Sequence, residues 1–390
     1  MKKNTIQEIA VNNNTPFYLY DIGLLRETIE TAISEAQKYG YELHYALKAN
    51  FSEQILKIIS SYGMGADCVS GNEIDWAVRT GFKPEKIVFA GVGKTDDEIN
   101  LALNHNIFCL NCESLQEISV INQLAGLKNQ KADIALRINP DIDAQTHRFI
   151  TTGLNENKFG INCSDLDKVL NEISGFKNIR LKGLHFHIGS QILNLKPFKE
   201  LCLKINQILN LAGELEFVNV GGGLGIDYLE PEQNRIPDFK NYFKVFNDNL
   251  QLNSGQKVHF ELGRSIVGQC GSLISRVLYV KPGNCRNYLI LDAGMTHLIR
   301  PALYQAHHKI ENLSSGLAEG NKYDIVGPIC ESSDVFAQEL SFPKTERGDI
   351  IQIKSAGAYG EVMSSQYNMK TLFPAVFVNQ SVFAENKADI

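Results

Sequence analysis

The sequence shows no excess of basic residues and no long apolar run. Its 38 Lys and Arg residues are outnumbered by 44 Asp and Glu residues, which gives a formal net charge of -6 at pH 7. Because nucleic-acid binding depends on neutralising phosphates with basic side chains, this balance predicts a small-molecule partner and no nucleic acid. The first fourteen residues are polar, without the apolar stretch of a signal peptide, and no later run approaches membrane-spanning length. We therefore expect a cytoplasmic protein with no membrane partner.

Cysteines are scattered along the chain. Of the eight, only Cys109 and Cys112 lie close together, and a four-cysteine zinc site requires a second such pair. We therefore expect reduced thiols, which agree with a cytoplasmic location, and no metal site.

Strand-like and helical patterns alternate through the first two thirds of the chain. The eight strand-like runs cover residues 43–47, 65–69, 86–90, 107–111, 132–138, 181–188, 215–220 and 257–262. The helices between them are amphipathic, and one of them carries on a single face Phe198, Leu201, Ile205, Ile208 and Leu209. An open Rossmann-like sheet alternates in the same way. The count of eight and the span, close to the ~250 residues typical of TIM barrels, favour a closed (β/α)8 barrel.

After Arg264 the helical periodicity fades, and short β-rich segments follow at 273–280, 288–292, 350–354 and 375–379. These segments predict a second, β-rich domain of barrel or sandwich type. A short strand at 16–20 precedes the barrel, and we expect it to pair with the second domain. The predicted fold class is therefore α/β, with a TIM barrel at 22–264 and a β-rich domain formed by 1–21 plus 265–390.

Reactive residue types fall at the carboxyl ends of the predicted barrel strands, where such barrels carry their chemistry. They are Lys48 after the first strand, Asp67 in the second, Arg137 ending the fifth, His187 ending the sixth, Gly221, Gly222 and Gly223 after the seventh, and Glu261 ending the eighth. An isolated lysine is more often an ordinary solvated side chain. At this rim, however, a lysine amine held among apolar neighbours loses solvation of its charged form and can attack a carbonyl to form a Schiff base.

A glycine run, Gly221-Gly222-Gly223-Leu224-Gly225, follows the seventh predicted strand. Glycine runs more often mark ordinary turns. The loops after strands seven and eight of TIM barrels nevertheless commonly hold phosphate, because bare backbone lets several N–H groups approach an anion. The segment Glu261-Leu262-Gly263-Arg264 would supply a second cradle, together with an acid and a base.

His185 and His187 share one face of the sixth predicted strand. Two metal ligands would alternate in this way, but no third ligand accompanies them. A hydrogen-bonded core histidine is the ordinary interpretation of a single residue of this kind. An imidazole at the rim can instead stack on a flat aromatic cofactor.

The second domain contains three dense runs of site-like residues, at 292–304, 327–334 and 356–360. Each is compatible with an ordinary turn between strands, with Cys330 an inert buried thiol. Together with the barrel rim, these runs indicate a second set of site residues.

These segments resemble the pyridoxal-phosphate-dependent decarboxylases of the alanine-racemase-like fold, and within that group the diaminopimelate decarboxylases, over nearly the whole chain. The matching segments are 45–50, 69–73, 157–161, 185–191, 219–228, 300–304 and 330–332. Two positions depart from the family pattern, which usually has Pro where Leu262 stands and Gly where Ser333 stands. Both departures concern the local backbone and remove no reactive group.

The resemblance implies a cofactor site for pyridoxal 5'-phosphate. Lys48 would form the Schiff base, His187 would stack on the pyridine ring, and Glu261 would pair with the ring nitrogen. Asp67 and Arg137 would support the lysine and the ring. The phosphate would be held by Ser190, Gly221, Gly222, Gly223, Tyr359 and the backbone of Gly263 and Arg264.

The resemblance also implies a substrate site in a homodimer with shared active sites. The substrate residues would be Arg264, Arg300, Tyr304, Glu331 and Tyr359. Cys330 would be the proton donor, delivered from a second subunit. The implied reaction is the decarboxylation of meso-2,6-diaminopimelate to L-lysine and CO2, the last step of lysine biosynthesis.

The choice of reaction and substrate depends on three charged residues. Racemases of the same fold place an arginine at the ring nitrogen, so Glu261 favours decarboxylation. Arg264 and Arg300 favour a substrate with a distal carboxylate, because a guanidinium can hold a carboxylate through two parallel hydrogen bonds. A decarboxylase for ornithine, lysine, arginine or a D-amino acid stays an alternative. A non-catalytic binding protein of the same fold is a weaker one, since Lys48 and Cys330 are both present.

Overall fold

The computed structural model describes residues 1–142, 158–213, 215–284 and 286–379; Asn157 and Cys285 lie outside these residues. The described strands are β1 (Phe17–Asp21), β2 (Glu42–Ala46), β3 (Gly65–Cys68), β4 (Ile87–Phe89), β5 (Cys109–Cys112), β6 (Ala132–Asn139), β7 (Ile161–Asn162), β8 (Ile179–His185), β9 (Phe217–Asn219), β10 (Lys257–Leu262), β11 (Gly271–Lys281), β12 (Asn287–Leu291), β13 (Ile310–Asn312), β14 (Glu319–Val326), β15 (Val335–Pro343), β16 (Ile350–Ile353) and β17 (Val376–Val378). The described α-helices are α1 (Lys3–Asn12), α2 (Ile22–Gln37), α3 (Glu53–Ser61), α4 (Gly71–Arg79), α5 (Asp96–His105), α6 (Leu115–Leu127), α7 (Leu166–Ile173), α8 (Lys196–Ala212), α9 (Phe239–Asn249), α10 (Arg264–Val267) and α11 (Arg300–Tyr304). Among these helices, none combines the length and the apolar character that crossing a membrane requires.

The chain divides into two compact units. The β-rich unit comprises Met1–Thr28, Ile226–Pro237 and Arg264–Ile390, and the barrel unit comprises Ile29–Gly225 and Asp238–Gly263. The sequence-based domain boundaries, 22–264 and 1–21 plus 265–390, stay a prediction.

Eight parallel strands close the barrel unit. Around the ring they are β2, β3, β4, β5, β6, β8, β9 and β10, and β10 pairs with β2 to complete the circle. The two-residue strand β7 extends this sheet beside β6. The ring confirms a closed barrel over an open sheet, and each of the eight strand-like runs of the sequence overlaps one of its strands.

Five barrel strands, β2, β3, β4, β8 and β9, end earlier than the sequence pattern predicts, and the early ends of β2 and β8 concern predicted site residues. Strand β2 ends just before Leu47, and a short 3-10 turn then carries Lys48. Strand β8 ends two residues before His187, which therefore lies in a loop. The apolar pattern continues past both strands because loop residues such as Leu47 and Ile188 are themselves buried.

Helix α9 packs an aromatic face on strand β10. The rings of Phe243, Phe246 and Tyr242 lie 4.9, 5.0 and 5.6 Å from that of Phe260 between centroids. Fully burying an aromatic side chain of this kind contributes roughly 1.5–3 kcal/mol. Because successive side chains of a strand point to opposite faces, the packing of Phe260 on the helix directs Glu261 into the barrel interior.

The β-rich unit is built on an eight-stranded sheet with the order β13-β16-β11-β12-β14-β15, to which β1 and β17 are attached beside β11. Strand β1 pairs antiparallel with β11 and parallel with β17, so the early strand joins the second sheet, as predicted. The sequence pattern does not predict helix α1. This helix buries only Ile6 and Ala10, in a cluster with Phe17 and Ile274, and two apolar anchors in a polar segment give a weak periodic pattern.

Candidate active site

Lys48 and Asp67 form an ion pair at the carboxyl ends of the barrel strands. Nζ of Lys48 lies 2.6 Å from Oδ2 of Asp67, whose side chain is fully buried, while the lysine side chain is 38% exposed. Oδ1 of Asp67 is also buried and has no hydrogen-bond partner among the described residues. Burial and the charge of Glu261 raise the pKa of Asp67 to about 6, against the opposing effect of Lys48. The ammonium therefore contacts a carboxylate, whereas the sequence pattern predicts apolar neighbours.

Three side chains hold the buried carboxylate of Glu261. Its Oε1 accepts hydrogen bonds from Nδ2 of Asn111 at 3.2 Å and from Nδ2 of Asn219 at 2.7 Å. Its Oε2 lies 3.0 Å from Nε2 of His185. Burial alone raises the pKa of Glu261, but His185 and Lys48 outweigh burial and hold it well below its ordinary value. The site therefore presents an ionised carboxylate, which suits a protonated heterocyclic nitrogen.

His187 is a neutral imidazole in the loop after β8. Its Nδ1 accepts a hydrogen bond from the backbone N–H of Gly222 at 3.3 Å, so the ring proton is on Nε2. Burial, followed by the charges of Arg137 and Lys48, lowers the pKa of His187 to about 3. The neighbouring His185 is committed to a carboxylate, and no group of three or more His, Cys, Asp or Glu residues in the described chain is arranged to hold a metal ion. A neutral ring at this position can stack on a flat cofactor.

The glycines after β9 leave no room for side chains. A Cβ at Gly221 would lie 2.3 Å from the carbonyl oxygen of Phe186, and one at Gly222 would lie 2.0 Å from that of Glu261. Gly221 and Gly223 also have φ angles of 70° and 112°, which side chains rarely allow. Only glycine can therefore bring this backbone so close to its neighbours.

The backbone N–H groups of the glycine loop have different partners. That of Gly221 donates to Oδ1 of Asn219 at 2.9 Å, and that of Gly222 donates to the imidazole described above. Among the described residues, the N–H of Gly223 donates to neither of these partners and makes none of the backbone hydrogen bonds of the loop, so it can approach an anion. Ser190 lies in the neighbouring loop after β8, whose backbone hydrogen-bonds to the carbonyl of Gly223. The glycine loop thus offers an anion fewer free N–H donors than its three consecutive glycines predict.

Arg137 lies within β6, not at its end, and pairs with a residue that the sequence analysis did not select. Its Nη1 donates to Oε1 of Glu113 at 2.8 Å, and both side chains are less than a tenth exposed. The guanidinium carbon also lies 4.6 Å from the centre of the Phe159 ring. Glu113 accepts further hydrogen bonds from the backbone of Gly91 and Gly160. Its place directly after β5 follows the strand-end pattern by which the other site residues were found.

Two buried arginines of the β-rich unit share one tyrosine hydroxyl. Nη1 of Arg264 lies 2.6 Å, and Nη1 of Arg300 lies 2.8 Å, from Oη of Tyr228. The arginines are 6% and 5% exposed. Burial lowers the pKa of Arg300, and the charge of Arg264 lowers it further, while Tyr228 opposes both effects. Two buried cations around one neutral oxygen form a place for an anion.

Tyr304 and Tyr359 belong to the same unit. Tyr304 ends helix α11, which Arg300 begins, so the short helix holds these two predicted residues together. The ring of Tyr359 lies 4.9 Å from the guanidinium carbon of Arg264, and its backbone φ is 55°. Burial lowers the pKa of Arg264, but Tyr228, Tyr359 and Tyr304 outweigh burial and raise it above its ordinary value.

Cys330 and Glu331 lie on an exposed loop held by two residues that the sequence analysis did not select. The N–H of Cys330 donates to Oδ1 of Asn368 at 3.0 Å. The hydroxyl of Tyr367 donates to Oε1 of Glu331 at 2.6 Å, and this bond raises the pKa of Tyr367. Asn368 has a left-handed backbone with φ of 56°, which asparagine tolerates better than most residues. Because Cys330 is exposed, the alternative of a buried inert thiol is wrong.

The two departures from the family pattern lie in different kinds of backbone, Leu262 in a strand and Ser333 in a turn. Leu262 is buried and ends β10 in parallel register opposite Tyr45. The carbonyl of Ser333 accepts a hydrogen bond from the N–H of Val335 at 2.8 Å, and the Ser333 hydroxyl lies 3.9 Å from the sulfur of Met295.

Comparison with known proteins gives one consistent family. Residues 25–268 match the family described as "Pyridoxal-dependent decarboxylase, pyridoxal binding domain". The chain is 55% identical to diaminopimelate decarboxylase of Bacteroides thetaiotaomicron over 363 residues, covering 92% of this chain and 94% of that one. It is 37% identical to the Aquifex aeolicus enzyme of the same name over 382 residues, covering 96% of this chain and 89% of that one.

A solved structure agrees with the sequence relatives. Diaminopimelate decarboxylase from Helicobacter pylori, complexed with L-lysine, superimposes with a TM-score of 0.88 at 39% identity. The match covers 96% of this chain and 94% of that one. This chain therefore belongs to the pyridoxal-dependent decarboxylases and, within them, to the diaminopimelate decarboxylase family.

Proposed function

We propose that this chain decarboxylates meso-2,6-diaminopimelate to L-lysine and CO2, the last step of lysine biosynthesis. Family membership supports the reaction, and the L-lysine held by the Helicobacter pylori relative supports the product. In this chain the proposal rests on Arg300, a buried guanidinium that makes no ion pair among the described residues and whose Nε has no hydrogen-bond partner among them. Such a group requires an anionic ligand, and the distal carboxylate of diaminopimelate supplies one.

The barrel residues fit pyridoxal 5'-phosphate, the cofactor of the family. The ionised carboxylate of Glu261 would pair with the protonated ring nitrogen. The neutral imidazole of His187 would stack on the face of the ring. The glycine loop, which a Cβ would fill, brings backbone close to an anion. Arg137 would support the ring, and the phosphate would be held by Ser190, Gly221, Gly222, Gly223, Tyr359 and the backbone of Gly263 and Arg264.

When bound, the cofactor draws off the electron pair that remains on the substrate carbon once CO2 leaves. Glu261 favours this by holding a proton at the ring nitrogen. Asn111, Asn219 and His185 keep the Glu261 carboxylate ionised and oriented, so no reorganisation is needed when charge develops.

Lys48 is the residue that we assign to covalent attachment of the cofactor. Asp67 fixes the direction of the lysine ammonium through the 2.6 Å contact. Burial and the charge of Glu261 raise the pKa of Asp67 to about 6, so this carboxyl is still mostly ionised at neutral pH and its charge holds the lysine side chain in place.

The far end of the substrate carries a carboxylate and an ammonium, and the β-rich unit carries groups for both. We assign the carboxylate to Arg264 and Arg300, with Tyr304 and Tyr359 as hydrogen-bonding partners. Glu331, held by the Tyr367 hydroxyl, would bind the ammonium. A substrate that lacks the distal carboxylate leaves the arginines without an anionic partner, and one that lacks the ammonium leaves Glu331 without a cationic partner.

Cys330 would donate the proton that replaces CO2, and we propose that it does so from the second subunit of a homodimer. The exposure of its loop supports this role, because a thiol that serves another subunit lies on the surface of its own. Obligate interfaces of this kind typically bury ~2,000 Å² or more. We also place the enzyme in the cytoplasm, with the unpaired cysteines of the described chain as support.

The test is CO2 release from a panel of diamino acids. We expect kcat/KM for meso-diaminopimelate to exceed that for L-ornithine and L-lysine by about 10² or more. The reason is that an unpaired buried arginine costs about 3–5 kcal/mol, and 1.36 kcal/mol corresponds to tenfold. Comparable values for ornithine and diaminopimelate would favour the ornithine, lysine or arginine type of decarboxylase instead.

A further inference from the structure

We infer that His308 is a positioning residue that aims Arg300 at the distal carboxylate of the substrate. The inference deepens the proposed function and rests on it. His308 makes no contact with the substrate in this scheme and acts only through the arginine. Neither the sequence pattern nor the resemblance selected it.

The hydrogen bonds of His308 determine which of its ring nitrogens carries the proton. The ring is buried, and its Nδ1 lies 2.8 Å from the backbone carbonyl oxygen of Lys354. A carbonyl oxygen can only accept, so Nδ1 must carry the proton and donate it. Nε2 then has a lone pair, and it lies 3.0 Å from Nη1 of Arg300. His308 is therefore a hydrogen-bond acceptor for the guanidinium.

The charge state of His308 agrees with this role. Burial, followed by the charge of Arg300, lowers the pKa of His308 to about 3. The ring is thus neutral under physiological conditions and keeps its lone pair. A proton on Nε2 of His308 would place its N–H group against the N–H of Arg300. It would also add a third positive charge beside the buried Arg264 and Arg300.

Both hydrogens on the terminal nitrogen Nη1 of Arg300 are donated to neighbouring side chains. Its Nη1 carries two hydrogens, and it lies 2.8 Å from Oη of Tyr228 and 3.0 Å from Nε2 of His308. The remaining donors are Nε and Nη2, which form one edge of the guanidinium. Nε is buried without a hydrogen-bond partner among the described residues. An Nε and Nη2 edge can bind a carboxylate through two parallel hydrogen bonds.

Ring contacts fix the plane of the guanidinium as well as its rotation. The guanidinium carbon of Arg300 lies 4.9 Å from the centre of the Tyr228 ring. The rings of Tyr228 and His308 meet edge to face, with centroids 5.1 Å apart and planes at 79°. Two side chains thus define one orientation of the arginine: Tyr228 supplies a ring contact and a hydroxyl, and His308 packs on Tyr228 and supplies a second acceptor. Such preorganisation reduces the cost of ordering the arginine when the ligand binds.

Loss of this acceptor should affect binding more than the chemical step. The distal carboxylate lies at the end of the substrate that does not react, so Arg300 holds it equally in the ground state and in the transition state. A change in such uniform binding raises KM and leaves kcat nearly unchanged.

Four variants of the holoenzyme separate the roles of the two ring nitrogens. His308→Leu removes both hydrogen bonds, and His308→Asn can keep the bond to the Lys354 carbonyl but is too short to reach Arg300. His308→Gln places an oxygen acceptor near the position of Nε2. His307→Leu is the matched control, because His307 is the exposed neighbour of His308.

Calorimetry should compare L-lysine, which keeps the distal carboxylate, with cadaverine, which lacks it. We expect His308→Leu and His308→Asn to weaken L-lysine binding about tenfold and to leave cadaverine binding within about twofold. KM for diaminopimelate should rise about tenfold with kcat within about threefold, and His308→Gln should recover most of the loss. His307→Leu should behave as the unmodified enzyme does.

The possible failures are distinguishable from one another. If the unmodified enzyme binds L-lysine no better than cadaverine, both the proposed function and this inference are wrong. If it prefers L-lysine while His308→Asn and His308→Gln behave alike, only the inference is wrong. Equal weakening of L-lysine and cadaverine in the His308 variants would likewise reduce His308 to a general structural role. The Asn and Gln comparison decides the matter even if His308→Leu does not fold.

Discussion

Oδ2 of the fully buried Asp67 lies 2.6 Å from Nζ of Lys48, while Oδ1 of the same carboxylate has no hydrogen-bond partner among the described residues. Asp67 is thus a charged partner of Lys48, and it retains a second buried oxygen. Burial and Glu261 raise the pKa of Asp67 to about 6 despite the lysine. A buried carboxylate in this position orients the amine beside it through a short, charge-assisted hydrogen bond.

The first prediction concerns that contact. Asp67→Asn keeps the shape of the side chain but removes the charge that orients Lys48. We expect kcat for diaminopimelate to fall by about 10² while the cofactor is still bound, since misplacing a reacting group by about 1 Å can cost about 10² in rate. The measurements are kcat and cofactor content by absorbance. Asp75→Asn, on the outer helix α4, is the matched control, and unchanged kcat in a fully loaded Asp67 variant would contradict the role.

The second prediction concerns the charge of Glu261. Glu261→Gln can still accept hydrogen bonds from Asn111 and Asn219, but it cannot hold a proton at the ring nitrogen. We expect a fall in kcat on the order of 10², comparable to the loss of other preorganised electrostatic groups. The cofactor absorbance spectrum should change at the same time. Glu216→Gln, at an exposed position of the same unit, should change neither property.

The barrel and most of its rim could be predicted because they depend on local sequence patterns. The apolar stripe of α8 is buried as the spacing indicates, including Phe198, Leu201 and Ile205. Alternating strands and helices close into a barrel, and Asp67 and Glu261 lie in its strands. These features need only the periodicity of each element and the common direction of parallel strands.

The supporting partners could not be predicted because their contacts join residues far apart in the chain. Asn111 and Glu261 are 150 positions apart, and Tyr228 and Arg300 are 72 apart. A pattern in the sequence gives the face of an element on which a residue lies, but not which distant side chain it meets. The same limit applies to Glu113, whose partner Arg137 lies on the next strand around the barrel.

The third prediction concerns pH-dependent stability at Glu73. Burial is the main cause that raises its pKa from 4.5 to about 7, although its carboxylate accepts a hydrogen bond from the N–H of Val69 at 2.7 Å. Between these two values the native state binds more protons than the unfolded state. The stability that Glu73 contributes is therefore complete below pH 4.5 and is lost as the pH rises through about 7.

Glu73→Gln should remove this loss because glutamine stays neutral. In denaturant unfolding near pH 8.5 we expect the variant to be more stable than the unmodified chain, by at most about 3 kcal/mol at 1.36 kcal/mol per pKa unit. The difference should shrink as the pH approaches 4.5. Glu53→Gln, at an exposed position of α3, should show no such trend. A difference that is constant with pH would rule out the titration of Glu73 as the cause.

The fourth prediction concerns shared active sites. Lys48→Ala and Cys330→Ala subunits should each be inactive, but a mixture that exchanges subunits should regain activity. In a random mixture about half of the dimers are hybrids, and each hybrid carries one intact site, so about a quarter of full activity is expected. The measurement is CO2 release before and after mixing, with differently tagged subunits to demonstrate exchange. Exchange without recovery would show that each subunit uses its own Cys330.

The most direct test of the whole account is the chemical identity of the residue that carries the cofactor. Borohydride reduction of the purified holoenzyme, followed by proteolysis and mass spectrometry, should place a stable pyridoxyl phosphate adduct on Lys48. The buried Lys94 of the same unit, which pairs with Glu117, should remain unmodified. An adduct on another lysine, or no adduct at all, would contradict the assignment of the barrel rim as the cofactor site.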